Sequence, residues 1–98
     1  MDRSDVIRIL RQHEKELKDA GILHLQLFGS LARNEALEHS DVDLLAEFDK
    51  SRHLSLVNVG RLQMRLSELL GAQVDLSSPD WMREPIRSKA LSEAVLAF

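Results

Sequence analysis

Apolar positions early in the chain recur at Val6, Leu10, Leu17 and Ala20, with His13 on the same stripe, in steps of four, three, four and three. That is the period of a core-facing helix, with Ser4 placed to cap it and Gly21 to stop it. His13 then reads as a histidine packed at the core edge. Over Ile22–Phe28 the period changes to two: Leu23, Leu25 and Leu27 alternate with His24 and Gln26, which predicts a strand. Residues 30–38 read as a short helix, with Ala32 and Ala36 permitting close packing and Ser30, Arg33 and Leu37 on another side. A second strand follows over Val42–Phe48, then a polar connection at 49–55 that contains His53 as a loop residue. A long helix is predicted over Leu56–Leu70, with Val59, Leu62, Leu66 and Leu69 as its stripe and Gly71 as its stop. Residues 73–76 form a brief third strand. Residues 79–85 are a turn region in which Trp81 reads as a lid on the core in preference to an exposed docking residue, and Pro85 opens a last helix with Ile86, Ala90, Ala94 and Phe98 near one face. Strands alternating with helices indicate an α/β layer structure with a small, three-stranded sheet.

Two polar positions interrupt this pattern where it matters most. At the entrance of the second strand, Asp41 and Asp43 share a face because strand side chains alternate, while Val42 and Leu44 face the other way. Two like charges about 4 Å apart at an effective dielectric near 20 repel by roughly 4 kcal/mol, a large fraction of a small domain's stability. A shared proton, a nearby Lys or Arg, solvent exposure, or a hard cation such as Mg²⁺ can offset that repulsion.

Upstream, with ten residues between Ser30 and Asp41, a strand ends at Phe28 and runs into Gly29 and Ser30. Gly29 permits a tight turn or a close backbone approach, and Ser30 stands where a helix N-cap is expected. Amides at such a turn attract phosphate, so Gly29 and Ser30 are candidates to hold a triphosphate whose metal sits on the aspartates. Arg33, one turn on, either reaches phosphate or pairs with Glu35 or Glu38. His39 and Ser40 lie in the loop before the aspartates, with Ser40 bonding local backbone.

Composition narrows the field. The 98 residues are expected to make one domain, 1–98, with a modest core and no room for a separate acceptor domain. The 44% hydrophobic and 30% charged content is that of an ordinary globule, and no apolar run reaches membrane-span length. The N-terminal MDRSDVIRIL lacks the apolar core of a signal peptide, so a cytoplasmic location is expected. With no cysteine, metal binding falls to carboxylates and histidines. The net charge of -3 argues against a long nucleic acid as direct substrate, whereas a metal can bridge a nucleotide to acidic groups.

The run Gly29-Ser30-x-Ala32-Arg33-x-Glu35, followed by Ser40-Asp41-x-Asp43-Leu44, resembles the signature of the minimal nucleotidyltransferases of the DNA polymerase β-like superfamily, and the similarity extends over nearly the whole chain. Asn34 stands where that family commonly has Gly. The resemblance implies a mixed rather than parallel sheet in a palm-like core, and a third catalytic carboxylate, Asp75, on the last strand. The same aspartate read without the motif is a strand-end residue bonding Ser77 or Ser78. Asp41, Asp43 and Asp75 would then be catalytic and hold two Mg²⁺ ions, with Gly29, Ser30 and Arg33 binding the nucleotide.

Relatives of this size also resemble the antitoxin half of toxin-antitoxin modules, whose partner is an all-helical HEPN ribonuclease. The function this implies is transfer of AMP from ATP to a hydroxyl, a tyrosine of the toxin, by an antitoxin that forms a hetero-oligomer with it. The alternatives are transfer to a small molecule, and a non-catalytic module that neutralises its partner by occlusion.

Overall fold

The computed structural model describes residues 1–35 and 41–98. Its first helix, α1 (Arg3–Gln12), is capped two residues before Ser4: the Asp2 carboxylate accepts from the Asp5 amide at 2.9 Å, and Asp5 accepts in return from the Asp2 amide at 3.3 Å. This reciprocal box outcompetes a lone serine cap, and Ser4 falls inside the first turn. The expected single helix hitches at His13 and resumes as α2 (Glu14–Asp19). The hitch leaves Val6, Leu10 and Leu17 on one face, all fully buried, with His13 half-buried between the segments.

Strand β1 (Ile22–Phe28) pairs antiparallel with β2 (Val42–Phe48). The register shifts between Ile22, opposite Phe48, and His24, opposite Glu47. This bulge inverts the expected facing at the strand's start: Ile22 is buried and Leu23 is 40% exposed, while Leu25 and Leu27 face the core as predicted. β2 pairs in parallel with β3 (Val74–Ser77), so the sheet is mixed. Helix α4 (Leu56–Leu70) connects them, capped by a Ser55 and Asn58 box and ended by Gly71 at φ +62°. Its buried stripe is Leu62, Leu66 and Leu70, with Val59 and the expected Leu69 at the margins. α4 also meets the outer edge of β3, where Ser67 Oγ accepts from the Val74 amide at 3.2 Å and Gln63 Oε1 from the Leu76 amide at 3.0 Å.

The C-terminal segment departs most from expectation. Helix α5 (Ile86–Glu93) stops short, Ala94 turns extended, and Val95–Leu96 forms β4 against β1. The described sheet therefore has four strands, ordered β3-β2-β1-β4, instead of three. Ala97 is fully buried; its amide donates to Leu25 O at 2.8 Å and its carbonyl accepts from Arg11 Nε at 2.7 Å. A continued helix would have left the second edge of β1 without backbone partners. Ile86, placed on the inner face in the sequence reading, is 64% exposed.

The two sheet faces have different fates. Helices α1, α2 and α4 close one face over Leu25, Leu27, Leu44, Ala46, Val74 and Leu76. The other face carries Asp43, Leu45 and Glu47 of β2 and is only partly covered, by α5 and a 3₁₀ turn at Pro79–Trp81. Trp81 is not a lid on the core: it is 52% exposed and stacks on Phe48 at 5.5 Å, because its turn sits at the rim of the open face. No helix among the described residues is long and apolar enough to cross a membrane.

Candidate active site

β1 ends beside the start of β2, and the turn that follows it brings phosphate-binding and acidic groups together. Phe28 lies opposite Asp43 in the antiparallel register, and Asp43 lies opposite Asp75 in the parallel one. Directly opposed residues share a face, so both carboxylates rise from the open side of the sheet. Asp41 precedes β2 by one residue and alternates onto the same side. Asp43 is half-buried, while Asp41 and Asp75 are exposed.

Electrostatics confirms the clustering. Burial pushes the Asp43 carboxyl above its ordinary range, the charges of Asp75 and then Asp41 push it further, and Arg33 opposes them. Asp43 therefore feels the other two aspartates. Asp75 makes no side-chain hydrogen bond to Ser77 or Ser78; the Ser78 hydroxyl instead accepts from the Asp80 amide.

Gly29 sits in this cluster at φ +72°, and a Cβ placed on it would lie 2.5 Å from Asp43 Oδ2. Only glycine fits, both for the backbone angle and for the approach of the carboxylate. Helix α3 (Gly29–Ala32) is a single turn, capped by the backbone of Phe28 without a side-chain hydrogen bond. Ser30 is thus within the first turn and not the N-cap expected for it. Leading amides of a helical turn have no intrahelical acceptor, so an incoming phosphate can meet those of α3.

The predicted helix over 30–38 is shorter than expected: the turn closes at Arg33, Asn34 takes φ +61°, and the Glu35 amide donates to Ser30 O at 2.8 Å. Asn is among the non-glycine residues that adopt this left-handed angle most readily. The expectations for Ala36, Leu37, Glu38, His39 and Ser40 lie outside the described residues.

Arg33 donates to Glu35 at 3.1 Å and to Glu93 of α5 at 2.8 Å, and these carboxylates, Glu35 foremost, raise its pKa. The sequence reading anticipated Glu35 and missed Glu93, which is 60 residues away and carries no local signal. Also missed was a cavity of about 520 Å³ on the open face, lined by Gln26, Leu45, Lys50, Arg87, Leu91 and Leu96 among others.

The donor set suits Mg²⁺. No three acidic or histidine side chains among the described residues converge as a ready cage. Magnesium commonly takes one or two carboxylates and completes its shell with substrate phosphate and water, which an aspartate pair beside a phosphate turn permits.

The family model for the nucleotidyltransferase domain matches residues 10–97. The protein adenylyltransferase MntA of Thermococcus cleftensis is 37% identical over 92 residues, covering 93% of this chain and 91% of its own length. A Methanocaldococcus jannaschii protein provisionally named as a protein adenylyltransferase is 36% identical over 94 residues, covering 95% and 94%. A solved structure described as a minimal nucleotidyltransferase superposes with TM-score 0.82 at 33% identity, covering 97% of this chain and 95% of its own. A chain from a complex of a tri-AMPylated Shewanella oneidensis HEPN toxin with an MNT antitoxin shares the fold, with TM-score 0.66 at 17% identity over 92% of this chain and 69% of its own. With its signature turn and three aspartates drawn to one face, the chain belongs to the nucleotidyltransferase domain family, among the minimal nucleotidyltransferases.

Proposed function

We propose that this nucleotidyltransferase moves AMP from ATP to a tyrosine hydroxyl of a HEPN-type ribonuclease toxin, which it binds and neutralises as a cytoplasmic antitoxin. The observation that carries the reading is the register pair Asp43 and Asp75 with Gly29 against Asp43. Relatives named as protein adenylyltransferases, and a shared fold with an antitoxin bound to an AMPylated toxin, supply the acceptor class.

In this reading the turn at Gly29 and Ser30, with Arg33, orients the triphosphate. Asp41, Asp43 and Asp75 would hold two Mg²⁺ ions, which supply positive charge for the entering and leaving oxygens of an in-line displacement. Asp75 takes the proton of the attacking hydroxyl. A bond forms from that oxygen to the α-phosphorus, the bond from the α-phosphorus to its bridging oxygen breaks, and pyrophosphate leaves along the turn. Aligning the partners before reaction is the main contribution such a small site makes.

Calorimetry of ATP with and without Mg²⁺ tests the first half; equal affinity in chelator defeats it. For the second half, the partner is incubated with the protein, Mg²⁺ and ATP. It should gain the mass of AMP on a tyrosine and stay inactive after separation. Full neutralisation by the Asp41→Asn/Asp43→Asn double variant, with no mass gain, establishes occlusion instead.

A further inference from the structure

We infer that Arg3 is a positioning residue for nucleotidyl transfer: from the first turn of α1 its guanidinium holds the carbonyl end of α3, and so fixes the Gly29 turn against Asp43. The inference rests on the reading above that seats the triphosphate at that turn.

The observation is a partly buried hydrogen bond in which Arg3 Nη1 donates to Ala32 O at 2.8 Å, across 29 residues of sequence. Because α3 is a single turn, its carbonyls can be accounted for one by one. Gly29 O accepts from the Arg33 amide at 3.2 Å, Ser30 O from the Glu35 amide at 2.8 Å and Leu31 O from the Asn34 amide at 3.0 Å. Ala32 O is the last. Among the described residues no main-chain amide reaches it, and Arg3 supplies its donor. Ala32 is buried, so water is a poor substitute. A cation at this end of a helical turn also complements the negative pole of its peptide dipoles.

The acids nearest to Arg3 in sequence are engaged elsewhere. Asp2 and Asp5 accept from each other's amides, and Asp5 also meets Arg8 at 3.5 Å. The same reciprocal cap sets Arg3 at the first position of α1, which Val6 and Leu10 anchor in the core. A continuous tie therefore runs from the core through α1 and Arg3 to Ala32 O, and across one helical turn to Gly29.

At Gly29 the tolerance for movement is small. Its φ is +72°, and Asp43 Oδ2 lies 2.5 Å from where a Cβ would stand. Misplacing reacting groups by about 1 Å can cost roughly a hundredfold in rate. Arg33 also restrains α3, through Glu93 of α5, but its guanidinium is the group assigned to the triphosphate. Arg3 bonds main chain instead, so its hold persists whichever partner Arg33 takes when nucleotide arrives.

The test uses the full chain, ¹⁵N-labelled and titrated with Mg²⁺ and a non-hydrolysable ATP analogue. Arg3→Met keeps the stem and removes the donor, whereas Arg3→Lys keeps a charged donor for the single bond required. At a temperature where the variant is fully folded, Arg3→Met should weaken the analogue about tenfold and move the amide resonances of Gly29 and Ser30. Arg3→Lys should restore most of the affinity and return those resonances toward wild type. If Arg3→Met fails to fold, Arg3→Gln against Arg3→Lys gives the same comparison. A lower melting temperature with affinity and both resonances unchanged would make Arg3 a brace of the fold alone and overturn the inference. Failure of the wild-type chain to bind the analogue removes the triphosphate reading and this inference with it, a result seen before any substitution is made.

Discussion

The Asp43 carboxylate occupies the space that a Gly29 side chain would need, with Oδ2 2.5 Å from the position of a Cβ. Gly71 has a similar backbone angle, φ +62°, but open space around it. The two positions separate conformational strain from crowding. Gly71→Ala should cost about 1 kcal/mol by denaturant unfolding, whereas Gly29→Ala should cost more and also abolish Mg²⁺-dependent ATP binding. Equal losses at both sites, with binding retained, would show that Asp43 relaxes away freely.

The raised pKa of Asp43 predicts how stability responds to pH. Folded protein holds this proton more readily than the unfolded chain, so its contribution is complete below the ordinary carboxylate range, about pH 4, and is lost as pH rises through the raised value. Asp43→Asn removes the loss. In chelator at neutral pH, the variant should melt at or above the wild-type temperature, and the two curves should converge in acid. A variant less stable at neutral pH would make Asp43 a structural residue.

Arg33 ties α3 to α5 through Glu93, yet all three partners in its ion pairs are at least partly exposed. Arg33→Gln should therefore leave stability nearly unchanged. Its effect on Mg-ATP affinity should be larger in proportion, roughly tenfold, since hydrogen bonds between charged groups contribute about 1.5 to 3 kcal/mol. Arg33→Lys should recover only part, because an ammonium lacks the guanidinium fork. Unchanged affinity by calorimetry would leave Arg33 with the tethering role alone.

Trp81 is the chain's single tryptophan, so its emission can be assigned without mutagenesis. Its stack on Phe48 is half open to solvent. Phe48→Leu should cost about 1 kcal/mol beyond the area lost and shift Trp81 emission to the red. An unchanged spectrum would mean that the stack is not maintained in solution.

The elements with strong periodicity were legible from residue order: α1 with α2, β2, α4 and β3 follow directly from apolar spacing and Gly stops. So was the placing of Asp41 beside Asp43, which strand alternation alone gives, whereas Asp75 entered only through the family resemblance. What spacing could not show are features set by partners distant in sequence. The bulge at Leu23 depends on pairing with β2, and the strand at Val95 depends on the vacant edge of β1. Glu93 meets Arg33 only once α5 has folded across the sheet. The cap at Asp2 is a different case, since Asp2 and Asp5 lie only three residues apart and the reciprocal box could have been read from that spacing.

The amides that β3 turns outward are already spoken for, Val74 by Ser67 and Leu76 by Gln63. An edge strand with free amides is a template for recruiting another chain, and α4 shields this one with its own side chains. Hydrogen exchange at Val74 and Leu76 should accordingly be slow for a margin of the sheet. Growth by strand addition is thereby directed to the far margin, at β4, where Leu96 lines the open-face cavity. A partner that docks by extending the sheet would arrive beside Leu96 and leave the Asp75 side unobstructed.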